Sequence, residues 1–482
     1  MINYCSVCNK FHYIPTHPTT QRFLSFFLRL NLSSFIVPYS HLLKDCISTN
    51  GKEIKTLVST IMFNKNKITD HLKKNLDIYL LNYLLLVIYF IVFTNLETNV
   101  DKQMFGTTDS WTYLCASKEF YKFSEQGYSN IRPFLYPMII LFVCNLSGSV
   151  GLWLLQLLFW VISINLIHLS IKKLTANKIL GFVGSLIIAL NITYIVLTFQ
   201  ALTETTTIFL LSVLIYFVSF NSKKTESLKF FHGCLLILVL LSVIKPLFYF
   251  LVLFMLLIIL PVFYLKKYIK APKSLIMLTL IIIPLLFQLT LMKVKYDTFS
   301  FSPIGSMGFK YYLFAQGVSQ VEGISMAAAR FNTKDLPLTD ELSYVLRNKM
   351  VFADLYFQNM RSNIKADPCF VLIPAGFPFP KIVKFMTFVN SLYYYIHILF
   401  IIPLLISIYS LFRRKDMNYY LGVMIISCFL IYYMVLTFSI IFGEGDRYVL
   451  ICMPLWVFLY SLILNYLFSQ KQLFRKKLLP GN

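Results

Sequence analysis

Residues 106–137 read GTTDSWTYLCASKEFYKFSEQGYSNIRPFLYP and follow the first strongly apolar run of the chain. A carboxylate, Asp109, opens a short helix-prone run, and Arg132-Pro133 closes the loop beside the next apolar stretch. An ionisable group beside hydrocarbon needs a partner or water, and in membrane segments such groups mark functional positions. The stretch therefore reads as a reaction centre at a bilayer surface.

Its surroundings fit that reading. The chain has 482 residues, of which 57% are hydrophobic and 13% charged, and its mean hydropathy is +0.69. Soluble domains carry about a quarter charged residues, so the expected class is an integral membrane protein. The net charge of +23 does not call for nucleic acid. The basic residues fall in short clusters between apolar runs, as cytoplasmic loops do under the positive-inside rule. The nine cysteines are scattered and odd in number, which implies no disulfide framework. Cys5, Cys8, His12 and His17 are loosely zinc-like but lack the tight paired spacing of zinc sites. No cleavable signal peptide is expected, because the first long apolar run starts near residue 76. Residues 1–75 read as a cytoplasmic arm. Its first 61 residues have mixed composition, and Met62 opens the basic run FNKNKITDHLKKN, so the arm is either dispensable or a misassigned start.

A helix needs about 20 apolar residues to cross the hydrocarbon core. Ten candidate spans meet or approach this: 76–95, 150–171, 178–199, 205–220, 231–244, 246–265, 273–292, 386–412, 418–442 and 447–468. Basic clusters at 65–74, 172–178, 223–229, 266–273, 413–415 and 471–477 would then lie inside. The acids Glu97, Asp101, Asp109, Glu119, Glu125, Glu204, Glu444 and Asp446 would lie outside. The alternation holds only if 133–147 does not cross, so it is expected to be a half-buried or interfacial helix. The organisation is thus a transmembrane module at 76–292 with a first outer loop at 96–149, a large outer loop at 293–385, and C-terminal helices with a basic tail at 386–482. A connection as long as 293–385 is uncommon unless functional.

This layout resembles the GT-C superfamily of polytopic glycosyltransferases, in the branch of the protein O-mannosyltransferases and bacterial lipid A aminoarabinose transferases. The resemblance covers about residues 76–468. It rests on Asp109 followed by Tyr113, on Arg132-Pro133-Phe134-Leu135-Tyr136-Pro137, on Thr203-Glu204, on Arg447-Tyr448, and on large outer loops after spans 1 and 7. The resemblance implies an all-α fold with interfacial helices in the first loop. It also implies transfer of a sugar, with inversion, from a polyprenyl-phosphate carrier to an acceptor hydroxyl on the outer face of a bacterial cytoplasmic membrane. The acceptor would be a glycolipid or polysaccharide. A protein acceptor fits less well, since nothing here is long enough for the extra folded domain of the eukaryotic protein-mannosylating enzymes.

Such chemistry needs a general base for the acceptor proton and cations for the departing phosphate. None of the seven histidines falls in an outer loop, which leaves the carboxylates. Asp109 is the candidate base, with Asp101 second. Residue type alone equally allows Asp109 to be a helix N-cap. Glu204 is either an acid favourably placed near a helix N-terminus or a positioning group. Arg132, Lys245 and Arg447 can reach headgroup depth and hold a phosphate, or snorkel to ordinary lipid. Tyr113 and Tyr448 complete the expected substrate-binding set. Tyr393, Tyr394 and Tyr395 read as an interfacial aromatic belt. No cofactor or essential divalent metal is expected, because the first loop lacks a DxD pair. The competing functions are an O-antigen-type polymerase or ligase, which lacks the first-loop acid, and a flippase or transporter, which needs polar or broken helices at the midplane.

Overall fold

The structure is a computed structural model that describes residues 75–93, 100–121, 131–271, 273–297, 299–302, 307–364, 384–386, 388–389, 405, 409, 419–441, 447 and 449–478. The arm with Cys5, Cys8, His12 and His17, the tyrosines 393–395, most of the 386–412 span, and Tyr448 lie outside these residues. The chain divides at Leu76 into an N-terminal unit and a unit from Asp77 onward, and the latter is a helical membrane protein. No strand occurs among the described residues, and five helices there are long and apolar enough to cross a membrane.

Contacts at the two ends of the bundle set the direction of each helix. α1 (Leu76–Phe93) begins at a polar knot in which Asp77 accepts from Lys172 Nζ at 2.7 Å and lies 2.9 Å from His168 Nε2. Its other end places the Tyr89 hydroxyl between Trp153 Nε1 (2.7 Å) and Thr198 Oγ1 (2.9 Å). The later part of α4 (Leu135–Thr175), which carries Trp153, His168 and Lys172, is therefore antiparallel to α1. Lys173 sits over the Phe220 ring, Tyr264 bonds the Thr225 carbonyl, and Tyr419 bonds the Val218 carbonyl. These contacts gather the basic turns 172–178, 223–229 and 266–270 at the Asp77 end. α7 (Thr203–Phe220), α8 (Leu228–Ser242), α9 (Pro246–Lys270), α10 (Lys273–Tyr296), α15 (Tyr419–Phe438) and α16 (Met453–Leu478) run between this end and the opposite one.

α4 contains the sharpest turn. An unbroken helix would hold residues 136 and 156 about 30 Å apart, yet Gln156 Nε2 donates to the Tyr136 hydroxyl at 2.9 Å. The chain folds back at Gly148, whose φ of 65° and ψ of −164° belong to a region that only glycine adopts readily. The stretch 135–147 is thus a helix packed back along the start of the next one.

One expectation changes. The span drawn at 178–199 is not one helix. α5 (Lys178–Ala189) stops, and the Asn191 side chain accepts from the Tyr194 amide at 2.8 Å to cap a new short helix, α6 (Ile192–Leu197). Asn competes for backbone groups in this way, which makes it a helix starter rather than an interior residue. Within α9 the turns widen to a π-helix over Met255–Tyr264, around Pro261, which has no amide to donate.

The described residues between 307 and 364 are largely helical. A π-helical turn (Phe309–Phe314) leads into α11 (Ala315–Glu322), α12 (Met326–Thr333), α13 (Leu338–Arg347) and α14 (Lys349–Ile364). These enclose a small core of their own around Leu313, Phe314, Val318, Phe352 and Leu355.

Candidate active site

The end of the bundle opposite the Asp77 knot collects the charged residues. α2 (Val100–Phe105) leads to α3 (Thr108–Tyr121), and the Ala201 amide donates to the Met104 carbonyl at 2.8 Å, drawing the first loop against the start of α7. Thr107 Oγ1 accepts from the Ser110 amide at 3.1 Å. The cap of α3 is therefore Thr107, and the N-cap reading of Asp109 is corrected. A threonine hydroxyl satisfies the exposed amide, which leaves the Asp109 carboxylate for other partners.

Those partners are two arginines. Arg132 Nη2 lies 2.8 Å from Asp109 Oδ1, and Arg447 Nη1 lies 2.8 Å from Asp109 Oδ2. Arg447 also reaches inward, with Nε donating to Glu204 Oε1 at 2.9 Å. Lys245 Nζ donates to the same oxygen at 3.0 Å. Five charged side chains from loops and helix ends far apart in sequence form one connected network. Its inner member, Glu204, is fully buried, while the Asp109 side chain is 33% exposed. The network thus grades from dry to accessible.

Local sequence explains each position. Glu204 occupies the first turn of α7, where the helix dipole favours an acid. Lys245 precedes Pro246, which opens the next helix and turns the chain. The Arg132 guanidinium packs over the Tyr113 ring at 4.6 Å from its centroid, and Tyr113 meets the edge of Tyr136 at 5.2 Å. Tyr113 stands one turn after Asp109 on α3, so the helix presents the acid and the ring on one face.

Burial alone would raise the Asp109 carboxyl. The adjacent Arg447 and Arg132 outweigh it and hold the group below its ordinary 3.8. Burial raises the Tyr113 phenol above its ordinary 10.0, and its hydroxyl oxygen accepts from Arg132 Nη1 at 3.5 Å.

Asp109, Tyr113, Arg132, Glu204, Lys245 and Arg447 are therefore together, and Tyr448 lies outside the described residues. Two glutamines were missed. Gln288 is fully buried; its Oε1 accepts from the Phe134 amide at 3.0 Å and its Nε2 donates to the Phe301 carbonyl at 2.7 Å. It clamps the segment that carries Arg132. Gln156 holds Tyr136 by a single bond, from Nε2 to the hydroxyl at 2.9 Å. Each is an amide inside an otherwise apolar run, the one signal that could have found them, since polar groups in such runs are kept for a partner.

Comparison of the chain with protein-family models, curated protein sequences and solved structures returns no match.

Proposed function

We propose that the chain is a glycosyltransferase of the GT-C type, moving a sugar from a polyprenyl-phosphate carrier to an acceptor hydroxyl at the outer face of a bacterial cytoplasmic membrane. The observation that carries the reading is the network in which Arg132 and Arg447 share the Asp109 carboxylate while Arg447 and Lys245 share Glu204. Apolar packing fastens helices at lower cost than buried ion pairs, whose desolvation offsets most of their attraction. Such a network at one end of an apolar bundle is better explained by the charge it handles.

The chemistry follows from the pairings. An arriving carrier phosphate competes with Asp109 for the two guanidiniums, which suit phosphate bidentately. As they turn to the phosphate, the attraction that depresses the Asp109 carboxyl weakens and its basicity rises. Asp109 then takes the acceptor proton as the acceptor oxygen attacks the anomeric carbon. The bond from that carbon to the phosphate oxygen breaks, and polyprenyl phosphate leaves with its charge held by Arg132 and Arg447. Attack opposite the leaving group inverts the anomeric centre. Glu204, fully buried, positions Arg447 and Lys245 from beneath rather than meeting the sugar itself. No cofactor is invoked.

Ten crossings belong to the same proposal. α10 and α15 both run toward the Asp109 end, which calls for one descending passage between them, where the apolar stretch 386–412 lies. The helix at 135–147, folded back at Gly148, would stay on the outer side.

The test is transfer by purified protein in detergent from a panel of polyprenyl-phosphate sugars to glycolipid, polysaccharide and peptide acceptors. Sugar transfer with release of polyprenyl phosphate supports the reading. Movement of an uncleaved carrier across vesicles would establish a transporter instead.

A further inference from the structure

α13 is built inside out for a helix in water. Its packed side carries Glu341, buried and paired with Lys310 Nζ at 2.8 Å, and Tyr344, whose ring meets Phe314 and Phe352. Its open side carries Leu338, Leu342 and Leu346, which are 58%, 48% and 72% exposed. Their spacing of four places all three on one stripe. A surface helix of a soluble protein turns its leucines inward and its acids outward.

We propose that α13 lies in the headgroup layer of the membrane at the Asp109 end of the bundle, with Leu338, Leu342 and Leu346 against the acyl chains. The position of its unit supports lipid as the occupant. The Tyr356 hydroxyl donates to the Leu436 carbonyl at 2.6 Å, and Asn363 Nδ2 donates to the carbonyls of Phe438 and Ile441 at 3.1 and 2.7 Å. These bonds fasten the unit to the last turn of α15, an apolar helix of 20 residues that ends at Phe438 and leads on toward Arg447. On α15 itself Ile426, Phe429 and Leu436 are exposed, as on a lipid-facing helix. The leucine stripe thus belongs to a unit anchored, through α14, to a helix that itself presents apolar side chains outward. Arg347 in the last turn of α13 and Lys349 just beyond it supply cations for headgroup phosphates, the usual partners of an interfacial helix.

The test uses the full chain with its nine cysteines replaced. Single cysteines are introduced as Leu338→Cys, Leu342→Cys and Leu346→Cys, with Asp340→Cys and Ser343→Cys as controls. Each carries a polarity-sensitive fluorophore and is reconstituted into phosphatidylglycerol–phosphatidylcholine vesicles. A nitroxide placed high on the acyl chain should quench the three leucine positions severalfold more than the two controls. Equal quenching at all five positions would overturn the proposal. Leucine positions shielded from both the nitroxide lipid and aqueous iodide would also overturn it, and would put a second protein surface on the stripe. Leu342→Trp in the native chain gives an independent readout that needs no cysteine replacement. Brominated acyl chains should quench its emission beyond that of the four native tryptophans, and no added quenching would contradict the proposal.

Discussion

Glu204 and Arg447 stand 243 positions apart in the chain and are joined by a buried hydrogen bond of 2.9 Å from Nε to Oε1. That bond ties the start of α7 to the segment before α16 and holds Arg447 where its other nitrogen reaches Asp109. The accessible half of the site is therefore built on a dry half that bears the structural load, and substitutions in the two halves should have different consequences.

Glu204→Gln should mainly damage the fold. Removing one member of a buried pair costs about 3–5 kcal/mol, because the remaining charge loses its compensation. Lys245 and Arg447 would both lose their shared carboxylate, so the melting temperature in mild detergent should fall well below that of Asp109→Asn. Equal melting temperatures for the two variants would show that the inner pair is not what holds the site together.

Arg132→Ala and Arg447→Ala should weaken use of the carrier-linked donor about tenfold to a hundredfold, as loss of one charge-assisted hydrogen bond of about 1.5–3 kcal/mol implies. Use of the acceptor should change less. Lysine should rescue neither position fully. At 132 it loses the stacking on Tyr113, and at 447 it cannot reach Asp109 and Glu204 with separate nitrogens. Complete rescue by Arg447→Lys would reduce the site to a simple positive charge.

Asp109 is held below its ordinary carboxyl value of 3.8. A depressed folded value stabilises the protein above the ordinary value, and that contribution is lost as pH falls through the folded one. The melting-temperature difference between the native chain and Asp109→Asn should therefore be flat from neutral pH down to about 4 and shrink below it. A difference that already declines between pH 7 and 5 would mean that the arginines do not hold the carboxylate.

Gly148→Ala isolates a backbone effect. A methyl group built at Gly148 meets nothing within 4 Å, yet the residue's φ of 65° and ψ of −164° are closed to alanine. The cost should be about 1–3 kcal/mol with no steric clash to blame. A neutral result in thermal unfolding would show that the turn between 135–147 and the following helix relaxes freely.

Much of this architecture is legible in the sequence because hydropathy and charge act locally. The basic clusters at 172–178 and 223–229 and the acids Asp109 and Glu204 fall at opposite ends of the helices, as their alternation implies. Residues that carry a charge beside an apolar run stood out for the same reason, so Arg132, Lys245 and Arg447 could be named without knowing that they meet. What was hidden depends on pairing across the chain. No local rule shows that Thr107 rather than Asp109 caps α3, because both residue types cap helices and only the arginines' positions decide between them. The break at Asn191 was masked by apolar neighbours on both sides, and the clamps made by Gln156 and Gln288 appear only once their distant partners are in place.

The most direct measurement is a single-turnover reaction with donor already bound, comparing the native chain with Asp109→Asn. Asparagine keeps the size of the side chain and its hydrogen-bonding oxygen but cannot accept the acceptor proton, and general-base losses are of order 100- to 10,000-fold. It also removes the anion that competes with the carrier phosphate for Arg132 and Arg447. The expected result is a folded variant that binds the polyprenyl-phosphate donor at least as tightly as the native chain and forms essentially no product. Product formed at the native rate by Asp109→Asn would contradict the assignment of the reaction to this site.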